Sequence, residues 1–578
     1  MALGDSRGRP LNIAYAPTSL PRIPAAPADA SQTVLHSLIS DYFYPKVGGV
    51  ESHIYSLAQS LAKRNHRVIV ITHAYPPRSG VRWLPNGVKV YYVPVQPLPP
   101  THVHATLPNF FTCLPYLRSI FLRESIDVVH AHAALSALGM EGIMHARAMG
   151  VRAVFTDHSL FGLGNMAEIW GNKMLKACLS DVEAVICVSH TGAWCSSGQI
   201  ARATADSSFQ IPSKENTVLR GSLNPSIVHV IPNAVVAGQF RPAEPVPPVP
   251  DILTIVCITR LVYRKGIDLL IAALPKVCAL HPDVRFLIGA LACCRPFSPC
   301  KHDADRVGHF VQAGTARKSL NSTRCATSTR PSSVIELNCS ARYDTRTSAL
   351  YAPLPLRLHP HPPSSLSSLA VANRPPAGQL LARAQIFLNP SLTEAFGIGI
   401  LEAACAGLFV ISTRVGGVPE VLPPGLVEFA EPEVDDLVRA ISRAITHVRS
   451  GAHDPLLAHA QLRQVYSWTD VTERTERVYE QAMEVPQVPV VERLRRYYGT
   501  GAVFGKIMCI IVIVDYFLLA FLDWLYPRDE IDLAPKFDLE RWKQICEDEL
   551  KKESEQPLAS MYVSPVPHAG ENKTTRTE

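Results

Sequence analysis

From residue 68 onward, short apolar runs alternate with stretches of helical spacing. VIVITHAY (68–75), VKVYYVPV (88–95), DVVHAHA (127–133), AVFTDHS (153–159), AVICVS (184–189) and IVHVIPNAV (227–235) read as strands. Residues 51–64 and 139–149 carry helical periodicity between them. Such alternation predicts parallel βαβ units with helices on both faces of a sheet. The first series closes near IPNAV (231–235), a proline-rich linker covers 242–250, and a second series opens with LTIVCIT (253–259). It continues through a helix at 266–280, RFLIG (285–289), QIFLN (385–389), a helix holding Glu402, and LFVISTR (408–414). The expected fold is α/β: two doubly wound, Rossmann-like domains, 33–235 and 251–450, with a ligand site in the cleft between them. A helical stretch at 455–483, within a return segment of 451–490, is placed back over the first domain.

Some segments depart from this order. TVLHSLISDYFYP (33–45) makes a poor first strand, and the Ala- and Pro-rich residues 1–32 are expected to be disordered. Residues 192–212 interrupt a strand-to-helix junction without periodicity. Residues 291–378 are rich in Pro, Ser and Arg and show no sustained helix or strand pattern. A structureless loop of that length is out of place in a compact domain. It reads as a disordered insertion or as non-coding sequence carried into translation.

The longest apolar run lies near the C-terminus, GAVFGKIMCIIVIVDYFLLAFLDWLY (501–526). Its length suffices for a bilayer crossing, and Trp524 and Tyr526 supply interfacial aromatics at one end. Arg493, Arg495, Arg496 and Lys506 sit at its start, so the positive-inside rule leaves the large N-terminal part cytosolic and residues 527–578 as a lumenal tail. Asp515 falls near mid-span, where a carboxylate is costly and is expected to face a protein partner.

Composition changes this picture little. At 578 residues the chain exceeds one core. The net charge of +6 suits a membrane surface or an anionic substrate. It lacks the dense Lys/Arg stripes of a nucleic-acid binder. The fourteen cysteines are scattered in apolar patterns with no zinc-type pairing, and are expected to be reduced, buried thiols in a cytosol-facing protein. His130 and His132, in VVHAH, have no Asp or Cys at a ligand spacing and are expected to be core or cleft-wall histidines; no metal is expected.

Three loops at strand ends carry candidate chemistry. In NPSLTEAFGIGILEAACAG (389–407), Glu394 sits in the loop after a strand and Glu402 lies within the following helix. A strand feeding a helix through small residues aims free backbone N–H groups into the crevice at the strand ends, where open α/β sheets bind anions. A carboxylate one turn inside the helix lies roughly 6 Å from its start, about the span between a diphosphate and a ribose hydroxyl. In TRLVYRKGIDLL (259–270), Arg260 and Lys265 can both reach a diphosphate. In DYFYPKVGGVESH (41–53), Gly48 and Gly49 precede a helix and let backbone approach a phosphate.

Together, TRLVYRKG and the pair of glutamates in SLTEAFGIGILEAACAG resemble the retaining GT-B glycosyltransferases of the family 4 type. The further stretches SDYFYPKVGGVESHIY, VFTDHSLFG, ICVSHT, SKENTVLR, VIPNAV and STRVGGVPEVLP narrow the resemblance to the members that begin GPI-anchor synthesis. That resemblance implies GlcNAc transfer from UDP-GlcNAc to phosphatidylinositol, with no cofactor or metal, at the endoplasmic-reticulum membrane. It also implies other membrane subunits as partners in a multi-subunit transferase.

By motif position, Glu402 would bind the ribose and Glu394 the sugar hydroxyls. Arg260 and Lys265 would neutralise the diphosphate, assisted by N–H groups near Gly397 and Ile398. Gly48 and Gly49 would approach the β-phosphate from the opposite domain, and His158 would face the transferred sugar. The chain departs from the family after RFLIG, where a glycine-rich loop and a helix–strand unit should touch the uracil. Two alternatives therefore stand beside the main reading: a related lipid glycosyltransferase with another sugar donor, and a catalytically defective subunit of the same complex.

Overall fold

The computed structural model describes residues 35–43, 48–74, 78–84, 87–95, 108, 110–160, 166–189, 213–243, 248–260, 262–291, 332–338 and 380–534. The expectations for 1–32 and 192–212, and most of those for 291–378 and the tail, lie outside these residues.

The first domain runs β1 (Leu35–Ile39), α1 (Gly49–Lys63), β2 (Arg67–His73), β3 (Gly80–Trp83), β4 (Lys89–Val93), α2 (Leu114–Arg123) and β5 (Val128–His132). It continues through α3 (Ala137–Ala148), β6 (Arg152–Asp157), α4 (Met166–Leu179), β7 (Ala184–Cys187), α5 (Ser213–Gly221) and β8 (Val228–Val230). The sheet order is β3-β4-β2-β1-β5-β6-β7-β8, and every pairing but the antiparallel β3–β4 edge is parallel.

The poor first strand is the sheet's centre: β1 pairs with β2 on one side and β5 on the other. Leu38 and Ile39 are fully buried there, and so are His36 and Ser37. The polar pair hides the strand from a hydropathy reading. His36 is accommodated by hydrogen bonding to His66 at 3.3 Å and by stacking on Tyr479 at 4.3 Å.

The second domain comprises β9 (Leu253–Thr259), α6 (Ile267–Leu280), β10 (Val284–Leu291), β11 (Ser332–Asn338), β12 (Ile386–Asn389), α7 (Ile398–Cys405), β13 (Phe409–Thr413), β14 (Val427–Ala430) and α8 (Val434–Arg449). Its order is β11-β10-β9-β12-β13-β14. Where the sequence pattern predicts no strand, Ser332–Asn338 forms an antiparallel edge strand on β10. Seven residues with one polar-flanked VIEL core are too short to stand out in a biased segment, but an open sheet edge templates them.

Two helices follow, α9 (Pro455–Val465) and α10 (Trp468–Glu484). The second returns to the first domain, burying Val471, Val478, Tyr479 and Ala482 in the same cluster as Leu57 and Val70. Arg64, the residue that caps the C-terminus of α1, reaches Glu476 at 2.7 Å. The chain ends its described part with α11 (Val490–Tyr498) and the apolar α12 (Phe504–Leu525). Cys113, Cys178, Cys187, Cys257 and Cys405 are buried and form no disulfide. Cys278 of α6, partly buried against the domain core, departs from the expectation of reduced thiols: it is disulfide-bonded.

Candidate functional site

In an open parallel sheet, a crevice forms where strand order reverses, because the connections on either side leave to opposite faces. The second sheet reverses between β9 and β12. Arg260 immediately follows β9, and the Glu394 loop follows β12. Two backbone contacts lock these loops together. Gly266 adopts the left-handed conformation (φ +68°), and a Cβ there would lie 1.7 Å from the Pro390 carbonyl oxygen. The Leu392 N–H donates to the Arg264 carbonyl at 2.9 Å. With the loops so joined, the Lys265 ammonium donates to the Glu394 carboxylate. Arg260 is exposed and has no acidic partner among the described residues.

Gly397 caps α7 in the left-handed region (φ 86°), which turns the chain from the Glu394 loop into the helix. The N–H groups of Ile398 and Gly399 precede the first bonded turn, in which the Ile400 N–H donates to the Gly397 carbonyl at 2.9 Å, and so have no intrahelical acceptor. Glu402 follows one turn on. Its carboxyl is largely buried and meets no partner among the described residues. Burial alone pushes its pKa up to about 7.

Gly416 and Gly417, which carry no assigned role in the sequence reading, hold this loop from behind. A Cβ on either would lie 2.1–2.2 Å from the carbonyl oxygens of Glu394 and Ala395, and the Gly417 N–H donates to the Glu394 carbonyl at 3.1 Å. The signal for them was the paired glycine directly after LFVISTRV.

The first sheet reverses between β1 and β5. Gly48 caps α1 with extended backbone (φ −171°), so its conformation does not itself demand glycine. The Cβ position of Gly49 lies 3.7 Å from the Ile398 side chain, which brings the two helix N-termini face to face across the cleft. Ser189, just beyond β7, bridges the domains by donating to the Ala395 carbonyl at 3.0 Å. Beside them, Ser136 caps α3 and also accepts from the Asp41 N–H at 2.9 Å.

His158 follows β6 and joins a histidine group rather than standing alone. Its Nε2 lies 3.2 Å from His132 Nδ1, and its ring meets that of His53 edge-on at 4.7 Å. His130 bonds Tyr479 at 2.7 Å and Thr156 at 2.6 Å. Burial lowers the pKa of His53 to about 4 and that of His130 to about 3. It holds His132 and His158 well below the usual imidazole range. These rings are neutral at physiological pH. His53, His132 and His158 offer ligand atoms within 4.8 Å of one another, and Cys113, Glu141 and His145 form a second such group. Between His132 and His158 the nitrogens are engaged in a hydrogen bond.

All nine residues singled out from the sequence thus lie at the two facing switch points or, for His158, at the adjacent strand end. The arrangement presents two helix N-termini, an exposed guanidinium, an ammonium paired with a carboxylate, and a buried carboxyl with no partner among the described residues. It is suited to a ligand with a diphosphate flanked by hydroxyl-bearing rings.

Comparison with known proteins agrees with this geometry. Residues 73–165 match the family model described as PIGA (GPI anchor biosynthesis), and residues 370–447 match glycosyl transferases group 1. The chain is 41% identical to the phosphatidylinositol N-acetylglucosaminyltransferase gpi3 subunit of Schizosaccharomyces pombe, covering 86% of this chain and 91% of that protein. It is 37% identical to a phosphatidylinositol N-acetylglucosaminyltransferase subunit of Homo sapiens, over 91% of this chain and 93% of that one.

Among solved structures, sucrose-phosphate synthase from Thermosynechococcus elongatus superposes with a TM-score of 0.52 at 17% identity, covering 78% of this chain and 98% of that one. The catalytic domain of starch synthase IV from Arabidopsis thaliana gives 0.50 at 15%, covering 78% and 100%. These likenesses show the GT-B fold. By its identity to curated relatives over most of its length, the chain belongs to the PIGA/GPI3 family of phosphatidylinositol N-acetylglucosaminyltransferase subunits, within the group 1 glycosyltransferases.

Proposed function

We propose that this chain transfers GlcNAc from UDP-GlcNAc to phosphatidylinositol, giving GlcNAc-phosphatidylinositol, the first step of GPI-anchor biosynthesis. Family membership supports the reaction. The observation that carries the site is the meeting of Lys265, Glu394 and the α7 N-terminus at one switch point, opposite Gly49. In this reading residues 33–235 bind the acceptor and 251–450 the donor.

Arg260 and Lys265 neutralise the diphosphate, and the N–H groups of Ile398 and its neighbours take its oxygens at a fixed, preorganised dipole. Gly48 and Gly49 approach the β-phosphate from the acceptor side. Glu402 accepts from the ribose hydroxyls. Glu394, released from Lys265 as the phosphates take over the ammonium, accepts from the sugar hydroxyls. His158, neutral, lies beside the sugar as hydrogen-bond partner rather than cation. The bond from the anomeric carbon to the β-phosphate oxygen breaks, and the inositol oxygen bonds to the same face of that carbon, so configuration is retained. The inositol hydroxyl proton passes to the departing phosphate.

The chain works as one subunit of a membrane transferase, attached through α12 at the endoplasmic reticulum with both α/β domains on the cytosolic side. Microsomes containing the full chain and its partner subunits should convert radiolabelled UDP-GlcNAc, not GDP-mannose, into a phosphatidylinositol-linked product. Transfer from GDP-mannose alone would refute the donor assignment.

A further inference from the structure

His132 holds the last position of β5, and His158 directly follows the end of β6. The two strands are parallel, with His132 opposite Thr156, so His158 lies two positions further along, about 7 Å. The backbone around both residues is pinned. The Ala133 N–H donates to the Thr156 carbonyl at 3.0 Å, and Ser40 Oγ donates to the His132 carbonyl at 3.2 Å. Asp157 accepts from the Ser159 N–H at 3.1 Å, while Thr217 and Arg220 donate to its other oxygen at 2.8 and 3.1 Å.

On this frame the two imidazoles meet head-on. His132 Nδ1 lies 3.2 Å from His158 Nε2, with ring centroids 5.5 Å apart and planes inclined by 17°. The centroid separation exceeds the nitrogen separation by two ring radii, so the nitrogens point at each other in a nearly common plane. That is the geometry of an N–H donating to an in-plane lone pair.

The outer nitrogens decide which ring donates. Burial holds both rings neutral, and a neutral imidazole carries one N–H and one lone pair. His132 is fully buried, and its Nε2 meets no hydrogen-bond partner among the described residues. Were His158 the donor, His132 would carry its proton on Nε2, leaving a buried N–H unmatched. Buried N–H groups without an acceptor are rare in folded chains, and bare acceptors less so. With His132 donating from Nδ1, its Nε2 is only a bare lone pair. His158 then accepts at Nε2 and carries its own proton on Nδ1. That nitrogen meets no protein group among the described residues, and His158 itself is half-buried at the strand end beside the cleft.

We propose that His132 is a positioning residue for the transfer: its Nδ1–H fixes His158 as the Nδ1–H tautomer, so that His158 donates a hydrogen bond to one hydroxyl of the transferred sugar. The inference rests on the reading that places His158 beside that sugar. Glu394 accepts from the sugar hydroxyls in the same reading, and His158 adds a neutral donor to the acceptor that Glu394 supplies. A sugar lacking the matching hydroxyl leaves the His158 N–H unpaired, which makes the histidine pair a determinant of donor specificity.

Two measurements test this. The first is solid-state NMR of the full chain in lipid bilayers with ring-labelled histidine, in which the signals lost in His158→Phe identify those of His158. Its ring nitrogens should show protonation at Nδ1, and His132→Phe should shift a substantial fraction to Nε2. Protonation at Nε2 in the wild-type chain would overturn the proposal, whatever the reaction catalysed.

The second compares microsomal transfer from UDP-GlcNAc and from analogues lacking the 3-, 4- or 6-hydroxyl. The wild-type chain should disfavour one analogue, and His158→Phe should abolish that preference. If His158→Phe changes no preference, His158 does not face the sugar, and the underlying reading fails with the proposal. His132→Phe should reduce the same preference about 3–10-fold, the worth of one neutral hydrogen bond. His132→Asn, whose amide N–H replaces the Nδ1–H donor, should restore it. Inhibition by UDP should be unchanged in both His132 variants. A preference lost in His158→Phe but kept in His132→Phe would overturn the positioning role alone. So would failure of His132→Asn to restore it, or a parallel loss of UDP inhibition, which would mark His132 as structural.

Discussion

Lys265 and Glu394, 129 positions apart in the chain, form an ion pair at the switch point of the second sheet. Both side chains are about four-fifths buried, at 21% and 17% exposure, and they meet because Gly266 and Leu392 join their loops through backbone. In the proposed reading, the pair holds a cation where the diphosphate binds, and its carboxylate partner becomes available once that anion arrives.

Lys265→Ala should therefore lower kcat/KM about 10²–10³-fold, the usual effect of losing one preorganised charge at a developing anion. Stability should fall by about 1 kcal/mol or less, since the pair borders solvent. Initial-rate kinetics in microsomes and thermal unfolding of the purified chain measure the two effects. A variant that loses stability but keeps full activity would remove Lys265 from the site.

Glu402 gives a pH dependence of defined sign. Unfolded, its carboxyl loses the proton near 4.5; folded and without ligand, it keeps it up to about 7. The folded state binds more protons across that window, so this group's contribution to stability falls as pH rises from about 4.5 to about 7. The total is at most roughly 3 kcal/mol. Glu402→Gln should flatten this part of the stability profile and make the ligand-free chain more resistant to unfolding at pH 8. The same substitution, and Glu402→Ala more so, should abolish transfer. Full activity in Glu402→Ala would refute the ribose assignment.

Gly266→Ala should be severe for a reason unrelated to charge. A Cβ would lie 1.7 Å from a backbone oxygen in a left-handed conformation, so the loop must move. A stability loss of about 2–3 kcal/mol and loss of donor binding are expected. Calorimetry with UDP reads the latter, and unchanged UDP affinity would mean that the loop junction does not position the site.

His158 should not titrate in the working range. Burial and the neighbouring His53 hold it neutral, so the pH–rate profile should have no acid limb near 6.5 belonging to it. A limb there that disappears in His158→Phe would show that the ring is a cation when the enzyme acts.

The alternation of apolar runs and helical spacing was sufficient to place β2, β4–β10, β12 and β13, because these strands read as continuous hydrophobic stretches, most of them buried inside the sheets, with β8 a half-exposed edge strand. The edge strands β3 and β11 and the short β14 lacked such runs, and β1 was hidden by His36 and Ser37. His36 is tolerated in the sheet centre because His66 and Tyr479, distant in sequence, receive it.

The sequence by itself determined the two-domain α/β fold and the residue types of the cleft, since strand ends and glycine-bearing helix starts are local features. Tertiary structure alone decided which of these groups meet. It joined Lys265 to Glu394, left Glu402 buried with no partner among the described residues, and gathered His158 with His53 and His132 in a neutral group. It also decided the role of Asp515. Hydropathy averages over a helix and treats every face alike, whereas packing distinguishes them. Only the folded chain sets Asp515 against His145 and turns Phe517 and Trp524 outward.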